Sequence, residues 1–241
     1  MEQARTALEE RVLELAAAYR RHNRPLTPAR LAAGIGYRWR EAPLAGRDGL
    51  LEPRSRTILV AAEQSPARQR FTLAHEVMHH LIEQDGELLS ELHEAYEGRA
   101  LEAALERLCN LGAAEMLLPR QELRRALAQA GPNPRLVWEL AGRHGVSEAA
   151  AAVGLATALG PRAQVAVWGG RPLRLYFAFG AAAPARGLVL STNHPLAAVA
   201  STGLPLREVM ELPGGGAGRA WVRPWRGRVY VVALEVTAGA G

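Results

Sequence analysis

One pentapeptide restricts this chain more than any other feature: His75-Glu76-Val77-Met78-His79, an H-E-x-x-H pattern inside a segment that reads as a capped helix. Ser65-Pro66 supplies an N-cap followed by a first-turn proline, and helical apolar spacing continues to about Ile82. Residues four apart share a helix face, so both imidazoles can reach one ion. Glu76 is turned about 100° from His75, which sets its carboxylate beside the ion's open position, ready to take a proton from bound water. Val77 and Met78, with Phe71, Ala74 and Leu81, anchor the opposite side in a core. The pattern predicts metal-assisted hydrolysis and requires another ligand from a separate element.

The next helix, expected over 100–118 and ended by Pro119, offers that ligand. Glu106 and Asn110 lie four residues apart on it. The first can bind the ion, and the second can hydrogen-bond and orient a ligating histidine. Glu102, one turn earlier, and Glu115, two turns later, compete with Glu106, and spacing does not choose among them. His80 points away from the His75–His79 face. Cys109 sits on the apolar side of its helix and reads as a small buried hydrophobe.

The rest of the chain reads as α+β. Apolar positions at helical spacing mark 8–21, and Thr27-Pro28 opens a short helix stopping at Gly34 or Gly36. Extended segments are expected at 37–41, 48–51 and 57–61. Residues 84–98 are acidic and loop-like, with a turn of helix at 88–96. Helical sequence resumes over 121–160, interrupted at Gly131-Pro132-Asn133-Pro134 and at Gly145. Beyond Pro161 come strands at 164–168, 173–179, 187–190, 220–223 and 229–236. The expected organisation is therefore a domain over 1–119, a helical region over 120–160 and a β-rich domain over 161–241.

Composition removes several classes. No apolar run approaches the ~18 residues that cross a bilayer, so no membrane partner is expected. The N-terminus reads MEQARTALEE and does not resemble a secretory signal. The single cysteine excludes an internal disulfide, and the expected location is the cytoplasm. All 29 basic residues are arginine, and the net charge is +5, without a tight basic cluster that would demand nucleic acid. Residues 136–144, Gly145-Val146-Ser147 and 148–159 follow a helix-turn-helix pattern. The second helix, however, offers no Arg, Asn or Gln to a base edge, so direct DNA reading is not expected. The alternative function, a DNA-binding transcriptional regulator with a purely structural metal, also leaves Glu76 without a purpose.

Two segments carry a resemblance. Arg70-Phe71-Thr72-Leu73-Ala74-His75-Glu76 and the run from Glu106 through Cys109-Asn110-Leu111-Gly112-Ala113-Ala114 to Leu118-Pro119 resemble the R-F-T-x-A-H-E and E-x-x-A-N-x-F-A-A-x-L-L-M-P motifs of the ImmA/IrrE (M78) metallopeptidases. The chain departs from them at Cys109 (usually Ala), Gly112 (usually Phe) and Leu118 (often Met), none a ligand position. The wording of the second segment, with the acidic stretch before it, is closest to the IrrE (PprI) branch, whose members regulate DNA-damage responses.

The resemblance implies that Glu106 completes a zinc site with His75 and His79, with manganese or another divalent ion as a substitute. It implies a zincin-like domain with a small twisted sheet, a helix-turn-helix-like region and a GAF-like C-terminal domain, a fold used for small-molecule signals. It also implies site-specific cleavage of a helix-turn-helix repressor that switches on a stress response. His93 and Tyr96, between the two ligand helices, are candidates to steady the oxyanion. Similar metallopeptidases suggest that the strand at 57–61 is an edge that pairs with extended substrate. In the C-terminal part, Trp168, Tyr176, Phe177, Trp221, Trp225 and Tyr230 are candidates to line a pocket or fill a core.

Overall fold

The computed structural model describes residues 2–213 and 215–237. They form two compact units, 1–119 and 120–241.

In the first unit, helix α1 (Glu2–His22) and the short α2 (Pro28–Ala33) precede strands β1 (Arg38–Ala42), β2 (Gly49–Glu52) and β3 (Thr57–Ala61). Helices α3 (Pro66–Gln84), α4 (Gly86–Ala95) and α5 (Gly98–Leu117) follow. The two cap signals behave as the sequence predicts: Thr27 and Ser65 each accept a hydrogen bond from the backbone N–H three residues on, and a proline opens each helix. The acidic stretch holds a full helix, α4, rather than one turn. Asp85 caps it by accepting from the Leu88 N–H, and Leu88 and Leu92 bury one stripe. Its abundant charge hides that stripe from a reading by composition.

The first sheet runs in the order β1-β3-β2, with β1 parallel and β2 antiparallel to β3. Thr57–Ala61 is therefore the central strand and not an edge. Its sequence already carries that signal, because an unbroken apolar run suits a strand covered on both faces and flanks. The edge beside α3 belongs to β2. The hydrogen-bonded pair Asp48–Ala61 sets the ladder, so the N–H and C=O groups of Gly49 and Leu51 point to the open side.

Helices α1, α3 and α5 pack around the buried Val12, Ala16, Met78, Leu108 and Met116. A Cβ on Gly112 would come within 2.5 Å of the Met78 Cε. The Met78 side chain thus fills the room left by glycine at position 112. Arg20 of α1 donates to the Met116 carbonyl at 2.6 Å, satisfying an otherwise orphaned end of α5.

The second unit contains α6 (Arg120–Ala130), α7 (Arg135–His144) and α8 (Glu148–Leu159). Strands β4 (Gln164–Gly169) and β5 (Arg174–Gly180) come next, then α9 (Pro195–Thr202) and strands β6 (Leu206–Glu211), β7 (Ala217–Trp225) and β8 (Arg228–Leu234). The sheet is antiparallel, in the order β5-β4-β8-β7-β6. Alternate residues face opposite sides of a strand. Ala166, Trp168, Val229 and Val231 meet Leu196 and Val199 of α9 in one core. On the other side Tyr230 reaches Glu148 and Trp138, and α8 packs against β4 and β5. The helices over 120–160 thus share a unit with the sheet. Residues 187–190 form only an isolated bridge, Arg174 to Val189, rather than a strand. Helix α9 and strand β6 have no counterpart in the sequence reading.

Candidate metal centre

Helix α3 presents His75 and His79 from adjacent turns, and α5 brings Glu106 across to them. The two Nε2 atoms are 3.1 Å apart. Glu106 places one carboxylate oxygen 3.3 Å from His75 Nε2 and the other 3.2 Å from His79 Nε2. Zinc bonds of ~2.0–2.1 Å at tetrahedral angles separate ligand atoms by about 3.3–3.4 Å. The donor set therefore fits a small divalent ion and leaves a fourth direction free. Among the described residues, this trio is the group of His, Cys, Asp or Glu side chains close enough to hold one; neither Glu102 nor Glu115 joins it. The histidines are 15% and 20% exposed and Glu106 58%, so solvent reaches the cluster from the Glu106 side.

The chemistry around the cluster is asymmetric. Burial pushes the Glu76 carboxyl up to about 7, with the Glu106 and Glu83 carboxylates adding to the shift and the Leu51 N–H opposing it as a donor. Leu51 is on the open side of β2, so the free edge of the sheet hydrogen-bonds the carboxyl that neighbours the histidines. Gly49 makes this approach possible. A Cβ there would lie 2.6 Å from the Thr72 Cγ2 and 2.8 Å from the Glu76 Oε1. Sequence reasoning missed both residues. Its available signal was the placement of a glycine at the start of a strand.

His75 is held toward its neutral form, chiefly by burial and then by His79, while Glu106 and Asn110 favour its charged form. Asn110 sits beside the His75 ring, yet the buried Nδ1 has no hydrogen bond of sound geometry. His80 turns away and meets Tyr37 edge-on at 5.3 Å. Cys109 is buried, and burial raises its thiol pKa above the usual range. His93 is exposed near the end of α4, and Tyr96 is that helix's half-buried C-cap. Among the described residues, neither makes a hydrogen bond or ring contact to His75, Glu76, His79 or Glu106. No helix among the described residues is long and apolar enough to cross a membrane.

Known proteins share this arrangement at the level of sequence. The IrrE N-terminal-like domain of the M78 peptidases matches residues 33–156, about half of the chain. The radiation response metalloprotease IrrE of Deinococcus deserti is 44% identical over 119 residues, covering 49% of this chain and 42% of that protein. Its counterpart in Deinococcus radiodurans is 41% identical over 149 residues, 61% of this chain and 45% of that protein. The matched stretch thus spans less than half of either relative. A solved structure, a Mycobacterium tuberculosis transcriptional regulator, superposes with a TM-score of 0.52 at 16% identity, over 97% of this chain and 81% of that one. That likeness concerns the fold. The matched segment contains His75, Glu76, His79 and Glu106, so the resemblance in the two motifs holds over a whole peptidase domain: the chain belongs to the ImmA/IrrE family of M78 peptidases.

Proposed function

We propose that the chain is a zinc-dependent endopeptidase that cuts a helix-turn-helix transcriptional repressor and so releases a stress or DNA-damage response. One observation carries the chemistry: the His75 and His79 Nε2 atoms lie 3.1 Å apart, each 3.2–3.3 Å from a different oxygen of the Glu106 carboxylate, with the Glu76 carboxyl on the next helical position. His75, His79 and Glu106 would hold the ion, which would supply a polarised, acidified water. Glu76 receives the proton from that water and passes it to the leaving amine. The Leu51 N–H fixes one oxygen of Glu76 and leaves the other for the proton. Asn110, with a small turn of its amide, accepts from Nδ1 of His75 and fixes the tautomer that presents Nε2.

Extended substrate pairs with the open edge of β2 rather than with β3, since that edge runs beside Glu76. His93 and Tyr96 reach the oxyanion only if substrate draws the end of α4 inward. The zincin-like description of the first unit and the GAF-like description of the C-terminal sheet belong to this same reading. The repressor substrate rests on the family resemblance, and the stress-response setting on the two relatives, which are radiation response metalloproteases. The alternative, a DNA-binding regulator with a structural metal, is less favoured because α8 packs its buried face on the unit's own sheet. The exposed face of that helix carries Val153, Thr157 and Ala158.

Metal analysis of wild type, His79→Ala and Glu106→Ala, each then incubated with a helix-turn-helix repressor, tests the proposal. About one zinc per chain in the wild type, lost in both variants together with cleavage, is the expected result. No metal in any of the three and no cleavage after zinc or manganese is added would refute it.

A further inference from the structure

The five-stranded sheet ends differently on its two sides. Beside β5 the chain covers its own edge: Leu175 donates to the Leu188 carbonyl and Leu190 to that of Leu173, both at 2.9 Å, and Arg174 bridges to Val189. Beside β6 no segment among the described residues does the same. An open edge is a template for another strand unless its side chains forbid the pairing.

The groups that this edge presents follow from the strand's other side. Leu212 donates to the Gly216 carbonyl at 2.8 Å, and the β6–β7 register continues through Met210–Gly218, Glu208–Ala220 and Leu206–Val222. Even-numbered residues of β6 therefore use their N–H and C=O groups on β7, and those of Arg207, Val209 and Glu211 point to the open side. The same three side chains share one face of the strand. It is opposite the face on which Met210 and Leu212 enter the core with α9. All three are exposed, Val209 at 72%. Arg207 and Glu211 make no ion pair among the described residues, and the Arg207 guanidinium rests 5.1 Å from the centre of the Trp221 ring.

Outward from Val209, the strand complements itself. Two copies laid antiparallel about a two-fold axis at Val209 set Val209 against Val209 and Arg207 against Glu211 of the second copy. Each of these is a hydrogen-bonded pair, so every edge-facing N–H and C=O of the three residues finds a partner, and opposite charges flank an apolar centre. Neighbouring registers lose this match. Sliding one copy by two residues sets Glu208 against Glu208 in one direction and Val209 against Glu211 in the other.

We infer that the β6 edge joins two copies of this chain into one continuous sheet, antiparallel and centred on Val209. A single strand pair is a small contact, so the dimer is a weak one that forms over roughly 1–100 µM chain. The inference is independent of the peptidase proposal, because it is read as association and not as cleavage.

The test is sedimentation velocity of the full chain from about 1 to about 200 µM, a range that spans the affinities of weak interfaces. The expected result is a concentration-dependent shift from monomer to dimer. Val209→Pro removes the central edge-facing N–H while sparing the β6–β7 ladder, and should abolish the shift. Arg207→Glu and Glu211→Arg each set like charges against one another in both flanking pairs, so each alone should weaken association about tenfold or more. An equimolar mixture of these two variants restores opposite charges across the axis and should dimerise again. A wild-type chain that stays monomeric to about 200 µM would overturn the inference and leave the edge to a different strand. It would equally be overturned by a mixture that fails to associate, or by a dimer that persists in Val209→Pro and in both charge reversals while circular dichroism shows them folded.

Discussion

The two units contrast in how their sites are made. In the first, the metal cluster draws on two helices, and two of its three donors lie one turn apart on the same one. In the second, the open edge of β6 exists because the sheet takes the order β5-β4-β8-β7-β6, which leaves residues 206–211 outermost although they precede β7 and β8 in the chain. Chemistry concentrated on a helix face announces itself as a motif. Chemistry assembled by strand pairing does not, because register and strand order are decided far along the chain.

The sharpest way to break this contrast is at Glu76. Glu76→Gln keeps size and leaves the three donors in place, so cleavage should fall by about 10²–10⁴-fold with the metal content unchanged; a variant that keeps its activity would remove the base from the mechanism. Next in size is the packing behind the site. Gly112→Phe should cost about 1–3 kcal/mol by overfilling the space occupied by Met78, read as a lowered urea midpoint. Met78→Ala in the same chain should recover much of that loss, and simple additivity of the two would show that they do not share the space. A smaller effect is expected from Leu51→Pro, which deletes an edge-facing N–H without touching the β2–β3 ladder. The turnover rate should drop about tenfold, the scale of one lost hydrogen bond to a charged group, with metal and melting temperature retained.

The smallest prediction concerns the second unit alone. Burial and the Glu148 carboxylate push the Tyr230 phenol up to about 12. Because its folded pKa lies above the unfolded value, this contribution is complete below ~pH 10 and is lost as pH rises through the folded value. Thermal melts should show alkaline destabilisation in that window. Tyr230→Phe should flatten part of it, and an unchanged profile would contradict the assignment. Tyr19, whose phenol donates to the Leu31 carbonyl, is pushed up by burial in the first unit, so Tyr19→Phe supplies the matched comparison there.

What could be read in advance follows the same division. Ser65-Pro66 and Thr27-Pro28 announce their helices because caps act within four residues. The pairing of Glu106 with His75 and His79 came from the family resemblance, and the geometry then separates it from Glu102 and Glu115, which spacing left open. Helix α9 escaped notice because its cap is His194, which accepts from the Leu196 N–H in place of the usual Ser, Thr, Asp or Asn. Strand β6 escaped because it lies at the sheet's far edge with a mostly exposed, charged sequence. The strand at 57–61 was placed at an edge by analogy, although Thr-Ile-Leu-Val-Ala shows none of the alternation of a half-exposed strand.

The contact between the β2 edge and Glu76 is made by main chain, and this shapes how the site would look to a saturation screen. Any of the ordinary side chains at position 51 leaves the N–H where it is, so the position should score as indifferent to nearly every replacement, with proline standing alone as damaging. Position 49, two residues away, should show the opposite profile, rejecting everything larger than hydrogen. A pattern of near-total tolerance beside near-total intolerance is the fingerprint by which a backbone contribution to this site would be recognised in variants of unknown structure.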